Sequence, residues 1–351
     1  MDEKASEPRP CNQASGDGES TGGEAQSRNA AMVEVHIHEA FECLKEGKTG
    51  AAQNSLRKAL EIDFEHPMVL HALKCLSWWL EKLKRLDDFH DLYEKGGYIL
   101  SQWKSYYIFL ERIGEAWPGN RGSSLLQKES DDSCQYAIRR FVYSLALNYF
   151  RELLGDGNQL DAVLLLQAGR CCKGAGDWEN AFKYLEQAVR LKREDSVILS
   201  ELADINALLG DERAAKALFR EAFFLEPQGI DLNALESEMI LQLRNKTRDL
   251  GYSGTELSEW IPVWGCIWGI FSVKRELKPV ELGRLKQSIL SLENEFRSKS
   301  SSNLQIKPRL LNRYFWLIDH CEQSRDTSGL MDETMLKIKF IDPVVYEHYR
   351  N

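Results

Sequence analysis

The chain has 351 residues, of which 43% are hydrophobic, and its formal net charge is −9. This acidic balance, without a basic stripe interleaved with aromatic residues, disfavours nucleic acid as the main partner. The first thirty residues contain no apolar run that would mark a signal peptide, and most of the eight cysteines lie within apolar helical patterns. We therefore expect a reduced, cytoplasmic protein.

Residues 1–30 are rich in Gly, Ser, Glu, Gln and Asn and carry almost no large apolar side chains. Such a segment cannot bury enough surface to offset its ordering entropy, so we expect a disordered tail. Residues 32–66 then place small and apolar residues at spacings that recur twice further along the chain. They are Ala40, Cys43, Gly47, Ala52, Leu56 and Ala59. This stretch is expected to begin a series of degenerate repeats that fills residues 32–160.

The apolar spacing within residues 67–155 predicts four helices in that series. One follows His66-Pro67, the next runs over about 86–95 and ends at Gly96-Gly97, and a third, strongly aromatic helix covers about 98–116. A polar loop then leads to Asp132, which is expected to cap a long helix that ends near Gly155. The number of repeats in this part of the chain stays open.

The clearest pattern lies at residues 162–228, where two copies follow each other in the same register. Their offset is 34 residues (203 − 169), a period typical of stacked helical repeats. Small residues allow two antiparallel helices to approach closely, and Gly-Asp pairs supply the turn between them. The matching positions are Gly169 and Ala203, Gly176-Asp177 and Gly210-Asp211, Ala181 and Ala215, Leu185 and Phe219, and Ala188 and Ala222.

This pattern resembles the tetratricopeptide repeat, a helix-turn-helix unit of 34 residues. The copies depart from it at Leu165 and Leu199, where Trp is frequent, and at Arg193, where Pro is usual. The resemblance implies an all-α solenoid of antiparallel helix hairpins with a non-repeating helical C-terminal region. The expected parts are a repeat domain over 31–250, with clear repeats at 162–228 and a capping helix at 231–250, and a C-terminal region over 251–351.

The C-terminal region contains an uncharged, Trp-rich run, Trp260 to Val273. The run is too short to span a membrane, and we interpret it as a buried connector that packs on the last repeat. A peripheral membrane anchor is the alternative, because Trp favours the membrane interface. Helices are expected at about 280–297 and 308–322. Residues 336–340 alternate like a strand, but no other strand is predicted that could pair with them.

The sequence carries no enzyme signature, since it lacks a nucleophile elbow, a Gly-rich phosphate loop and a zinc-protease helix. It contains no Cys-x-x-Cys pair, and its histidines lack ligand spacing. We therefore predict a non-enzymatic protein with no catalytic residue, metal site or cofactor. An unrecognised enzyme activity after residue 250 is kept as an alternative.

The resemblance implies a partner-binding groove lined by the first helix of each repeat. The candidate groove residues are Val163, Leu166, Arg170, Lys173, Val197, Ser200 and Asp204. Leu166 and Ser200 stand where chaperone-binding members of the family carry Lys, which argues against a carboxylate clamp. We expect Arg170 and Lys173 to face solvent and to bind an acidic peptide or helix of another protein. The predicted function is a protein-interaction scaffold or adaptor whose partner and oligomeric state the sequence leaves open.

Overall fold

The computed structural model describes residues 20–113, 134–155, 161–271, 275–298, 304–325 and 329–350. These residues form fifteen α-helices and no strand, which confirms the all-α class. Residues 336–340, which alternate like a strand, are helical in α14. The helices are α1 (Ser20–Lys45), α2 (Thr49–Ile62), α3 (Pro67–Leu83), α4 (Leu92–Arg112), α5 (Cys134–Gly155), α6 (Ala162–Gly174), α7 (Trp178–Leu191), α8 (Ser196–Leu208), α9 (Glu212–Leu225), α10 (Glu238–Asp249), α11 (Gly254–Ile267), α12 (Pro279–Ser298), α13 (Ile306–Ser324), α14 (Leu330–Ile341) and α15 (Pro343–Arg350).

The described residues fall into two compact units. The first contains the described residues up to Lys84 and residues 134–141, which begin α5. The second contains residues 85–113 and the described residues from Val142 onward. This division differs from the predicted boundary at residue 250, because the last repeat and the C-terminal helices share one core.

In the first unit, α1 and α2 form the hairpin that the degenerate pattern predicts. Ala40, Ala52, Leu56 and Ala59 are fully buried, and Gly47 supplies the turn with φ of 77°. Helix α1 already begins at Ser20, so the prediction of disorder is wrong for residues 20–30. Residues 20–30 contain no proline that would end a helix. Extending a helix that is already nucleated costs little free energy, so α1 continues toward the N-terminus through these residues. Residues 1–19 lie outside the described part of the chain.

Helix α4 passes through Gly96-Gly97, where the sequence predicts a helix end. The reason is a close helix contact in the second unit. A Cβ on Gly96 would lie 2.5 Å from Cζ of Phe150, whose side chain is fully buried. Glycine is therefore used here for approach rather than for a turn. The predicted polar loop before Asp132, and Asp132 itself, lie outside the described residues.

The two clear repeats form the hairpins α6–α7 and α8–α9, as predicted. Gly176 and Gly210 adopt φ of 80° and 90°, which glycine tolerates best. The adjacent aspartates then cap the second helix of each hairpin: Asp177 accepts from the backbone N–H of Asn180, and Asp211 occupies the equivalent position in α9. Each Gly-Asp pair therefore reverses the chain and starts the next helix.

The first six residues of the Trp-rich run and Phe271 are buried, in agreement with the favoured interpretation. It forms most of α11, and Trp260 and Trp264 are 4% and 5% exposed. Helix α11 contacts α9, so the run packs on the last repeat. An interfacial membrane anchor needs exposed apolar side chains, which Trp260 and Trp264 do not offer. Residues 272 and 273 of the run lie outside the described part.

Close packing inside the first clear repeat leads to a stability prediction. A Cβ on Gly169 would lie 2.7 Å from Cγ of Leu185, which is fully buried. We expect Gly169→Ala to lower the free energy of unfolding by about 1–3 kcal/mol through overpacking. Gly283→Ala is the matched control, because that helical position has no neighbour within 4 Å and should gain about 0.5–1 kcal/mol. Urea unfolding of both variants measures the difference; equal stability of the two would contradict the predicted helix contact.

Candidate functional site

Two cations on α6 face two carboxylates on α8. Arg170 and Lys173 are three residues apart, and so are Glu201 and Asp204, so each pair shares one helix face. The ion pairs Arg170–Glu201 and Lys173–Asp204 each join residues 31 positions apart, so the two faces lie in the same register. Stacking of the two hairpins therefore brings two positive and two negative charges together.

Lys173 lies at the centre of this charge network and is only 4% exposed. Its Nζ donates to Glu201 Oε2 at 2.5 Å, to Asp204 Oδ2 at 2.8 Å and to the carbonyl oxygen of Ala234 at 2.8 Å. Arg170 Nε donates to Glu201 Oε1 at 2.7 Å. All three ammonium protons thus have acceptors, which makes burial of this charge tolerable.

Asp204 connects the network to the segment after the last repeat. Its carboxylate accepts the backbone N–H of Glu236 at 2.9 Å and that of Ser237 at 2.8 Å. Residues 230–237 are therefore held against α8, and α10 begins only at Glu238. The predicted capping helix over 231–250 starts seven residues later than expected, because Asp204 binds N–H groups that precede it.

The structure changes the interpretation of the predicted groove. Leu166, Lys173, Ser200 and Asp204 are buried, Arg170 and Val197 are half-buried, and Val163 is exposed. The expectation that Lys173 faces solvent is wrong, because the chain's own segment 230–237 covers it. Replacing Lys173 with an acidic residue would therefore destabilise the fold and would not test partner binding.

The network changes the pKa values of Glu201 and Lys173. Burial by itself would raise the pKa of Glu201, but the charges of Lys173 and Arg170 outweigh it and lower that pKa. Burial likewise opposes the charged form of Lys173, yet Asp204 and Glu201 raise its pKa above the ordinary value. The charged forms are therefore the stable ones in the folded chain. The network stabilises the fold between the range where Glu201 takes up a proton and the range where Lys173 loses one.

A second feature of the same unit is a cavity of about 230 Å³ between the last repeat and the C-terminal helices. The end of α9 forms one wall, and α11 and α13 form the others. Glu259 in this wall is fully buried and accepts from Arg309, whose Nε lies 2.9 Å from both carboxylate oxygens. The lining residues are Phe223, Phe224, Leu225, Glu226, Pro227, Glu259, Arg309, Asn312 and Arg313.

Arg313 is the cation of this cavity that lacks a close counter-charge, and the lining also contains the exposed carboxylate Glu226. Its Nε donates to Ser288 Oγ at 3.3 Å, and its guanidinium lies 3.7 Å from the ring centroid of Phe224. Among the described residues no carboxylate forms an ion pair with it. Burial and the neighbouring charge of Arg309 lower the pKa of Arg313 to about 10. Arg313 is therefore the cation of the cavity that could receive an anion.

The sequence alone did not predict this cavity. The sequence did show that Arg309 and Arg313 are one helical turn apart, so that both lie on one face of the predicted helix. Glu201 was also missed as a partner of Arg170 and Lys173, although its spacing from Asp204 equals theirs. In both cases the partner lies on another helix, which periodicity along a single helix does not reveal.

Helical hairpins stacked in register define this chain as a helical-repeat protein. Residues 162–195 match the tetratricopeptide repeat family model, so the chain carries a tetratricopeptide repeat, as predicted. Such repeats are protein–protein interaction modules and are typically non-enzymatic. No match to the chain was found among curated proteins. Within the described residues, no helix combines the length and the apolar character needed to cross a membrane.

The pKa of Glu201 leads to a prediction about acid stability. Because the folded pKa is lowered, the stabilisation is fully present above the ordinary value of 4.5 and is lost as the pH falls through the folded pKa. Glu201→Gln should cost about 3 kcal/mol at neutral pH and should flatten the fall of the thermal midpoint below pH 4.5.

The matched control for this prediction is Glu186→Gln. Glu186 is a surface residue that pairs with Arg190 on the same helix, and its side chain is 43% exposed. This variant should keep the wild-type midpoint and the wild-type pH profile. Calorimetry between pH 3 and pH 7 measures all three proteins. A Glu201→Gln profile that coincides with that of wild type would show that the network does not stabilise the fold.

Proposed function

We propose that this chain is a non-enzymatic scaffold that binds an acidic segment of another protein at the cavity between α9, α11 and α13. The tetratricopeptide repeat supports the general function, since these repeats are interaction modules. The observation that carries the choice of site is Arg313, a half-buried cation that lines the cavity without an ion-pair partner among the described residues.

The chemistry of the cavity favours a carboxylate as the anchoring group. A guanidinium binds a carboxylate through charge-assisted hydrogen bonds, and these gain strength where water is excluded. Arg309 already has Glu259 as its partner, so Arg313 is the cation left to receive the new anion. Burial disfavours the charged form of Arg313 and lowers its pKa. A bound carboxylate would offset this free-energy cost, because it supplies the missing negative charge.

The size of the cavity favours a peptide anchor over a cofactor or substrate. About 230 Å³ lies below the roughly 300–1,000 Å³ that is usual for pockets of drug-sized ligands. One acidic side chain or one chain terminus fits such a volume. The apolar wall formed by Phe223 and Phe224 would contact the carbon atoms of that anchor.

Part of the predicted groove is kept in this proposal as a second contact. Val163, Arg170 and Val197 remain accessible to a partner, whereas Lys173 and Asp204 do not. We also infer a cytoplasmic location, because five of the seven cysteines in the described residues are buried within helices, as expected of a reduced chain.

The test of this proposal starts with affinity purification of the tagged full-length chain from its source cells. It should recover a partner in fixed stoichiometry, and titration of the purified partner should show that Arg313→Gln weakens binding about tenfold or more. The thermal midpoint of the variant should be retained or raised, because an unpaired half-buried charge is removed. A merely structural Arg313 would instead lower the midpoint.

Arg284→Gln serves as the matched control, because the side chain of Arg284 is 73% exposed and lies outside the cavity. It should bind the partner with wild-type affinity. Partner peptides with free and with amidated C-termini distinguish a terminal carboxylate from an acidic side chain. Full affinity of a folded Arg313→Gln variant would contradict the proposed site. Binding to liposomes instead of a protein would favour the membrane alternative.

A further inference from the structure

A cluster of three metal-binding side chains lies in the first compact unit, apart from the charge network and the cavity. His71 and Cys75 are one helical turn apart on α3 and therefore share a face. Cys134 is the first residue of α5. One ligand atom from each of these side chains lies within 4.8 Å of the other two. Cys75 and Cys134 are 0% and 2% exposed, and His71 is half-buried.

The separations suit a small tetrahedral ion. Zinc binds sulfur at about 2.3 Å and nitrogen at about 2.0–2.1 Å, so neighbouring ligand atoms lie about 3.5 Å apart. Cys75 Sγ is already 3.2 Å from Nε2 of His71. Only modest side-chain rotation is needed to bring the remaining atoms to the same separation, because all of them already lie within 4.8 Å.

Gln135 adds a fourth group to this cluster. Its amide nitrogen lies 3.2 Å from His71 Nε2 and 4.0 Å from Cys75 Sγ. Since the two ends of an amide are exchanged by a simple flip, the carbonyl oxygen reaches the same place. A fourth ligand position, occupied by this oxygen or by water, is therefore available beside the three stronger ligands.

The donor set selects the class of metal. Two thiols and one imidazole are soft to borderline ligands that suit zinc, whereas magnesium and calcium prefer oxygen. Loss of one proton from each thiol on binding leaves two thiolates, which balance the two positive charges of the ion. A neutral complex of this kind can be buried without an uncompensated charge.

We propose that His71, Cys75 and Cys134 bind a zinc ion that fastens the start of α5 to α3. This site is independent of the proposed partner-binding cavity, because all of its ligands belong to the first unit. The site has no Cys-x-x-Cys pair that would mark it in the sequence, since Cys134 lies 59 residues after Cys75 on another helix. The feature visible in the sequence was that His71 and Cys75 are four residues apart, so that both side chains lie on one face of a helix.

The test uses the full-length chain, stripped with a chelator under reducing conditions and then titrated with zinc alone. We expect one bound zinc ion per chain by elemental mass spectrometry and a rise in the thermal midpoint. Calorimetry in buffers of different ionisation enthalpy should show that protons are released on binding, because both thiols must lose theirs. Cobalt in place of zinc should give the thiolate charge-transfer absorption of a tetrahedral site.

Two ligand variants and a control decide the assignment. His71→Ala and Cys134→Ser should each lose metal affinity at least tenfold, whereas Cys43→Ser should keep it, because Cys43 is a half-buried thiol of the same unit outside the cluster. Circular dichroism confirms that the variants are folded. Failure of the wild-type chain to bind zinc or cobalt would overturn the proposal even if a variant did not fold. A Cys75–Cys134 disulfide in protein isolated under thiol-blocking conditions would also overturn it.

Discussion

The contact on which the repeat region depends is the one between Asp204 and Lys173. Lys173 sits between two carboxylates from the next hairpin, and Asp204 simultaneously holds two backbone N–H groups of the segment that follows the last repeat. One buried carboxylate thus joins two repeats to each other and to the capping segment. Such a network imposes a strict register, because removing Lys173 would leave the buried carboxylate of Asp204 without its cation. It also explains why part of the expected groove is closed: the chain covers it with its own residues.

The last repeat is joined as firmly to the helices that follow it. Arg220 on α9 forms a buried ion pair with Asp319 on α13 and donates to the carbonyl oxygen of Phe271 at 3.2 Å. Phe219 and Phe223 of the repeat pack on Phe271 of the C-terminal region. A repeat array must cover the apolar face of its terminal hairpin, and in this chain α11 and α13 perform that task. The cavity that Arg313 lines lies at the same junction, so the proposed partner site arises where repeating and non-repeating parts meet.

Local features were predictable because their causes lie within a few residues. The Gly-Asp turns, the small residues between helices and the two hairpins follow from backbone freedom, capping and helical spacing. The helices at 279–298 and 306–324 agree with their apolar periodicity within two residues. Errors arose where a distant side chain overrode a local rule. Gly96-Gly97 continues a helix because Phe150 packs on it, and α10 starts late because Asp204 binds the preceding backbone.

The sequence by itself therefore determined the all-α class, the repeat period and the burial of most of the Trp-rich run. Each of them follows from the spacing of apolar and small residues along the chain. It also supplied the residues of the candidate sites without showing how they combine. Only the tertiary structure decided that Lys173 and Asp204 are buried, that Arg313 lines a cavity beside Arg309, and that His71 and Cys75 lie near Cys134. The physical reason is that periodicity fixes which face of a helix is apolar, whereas the charged and metal-binding groups meet through contacts between helices distant in the chain.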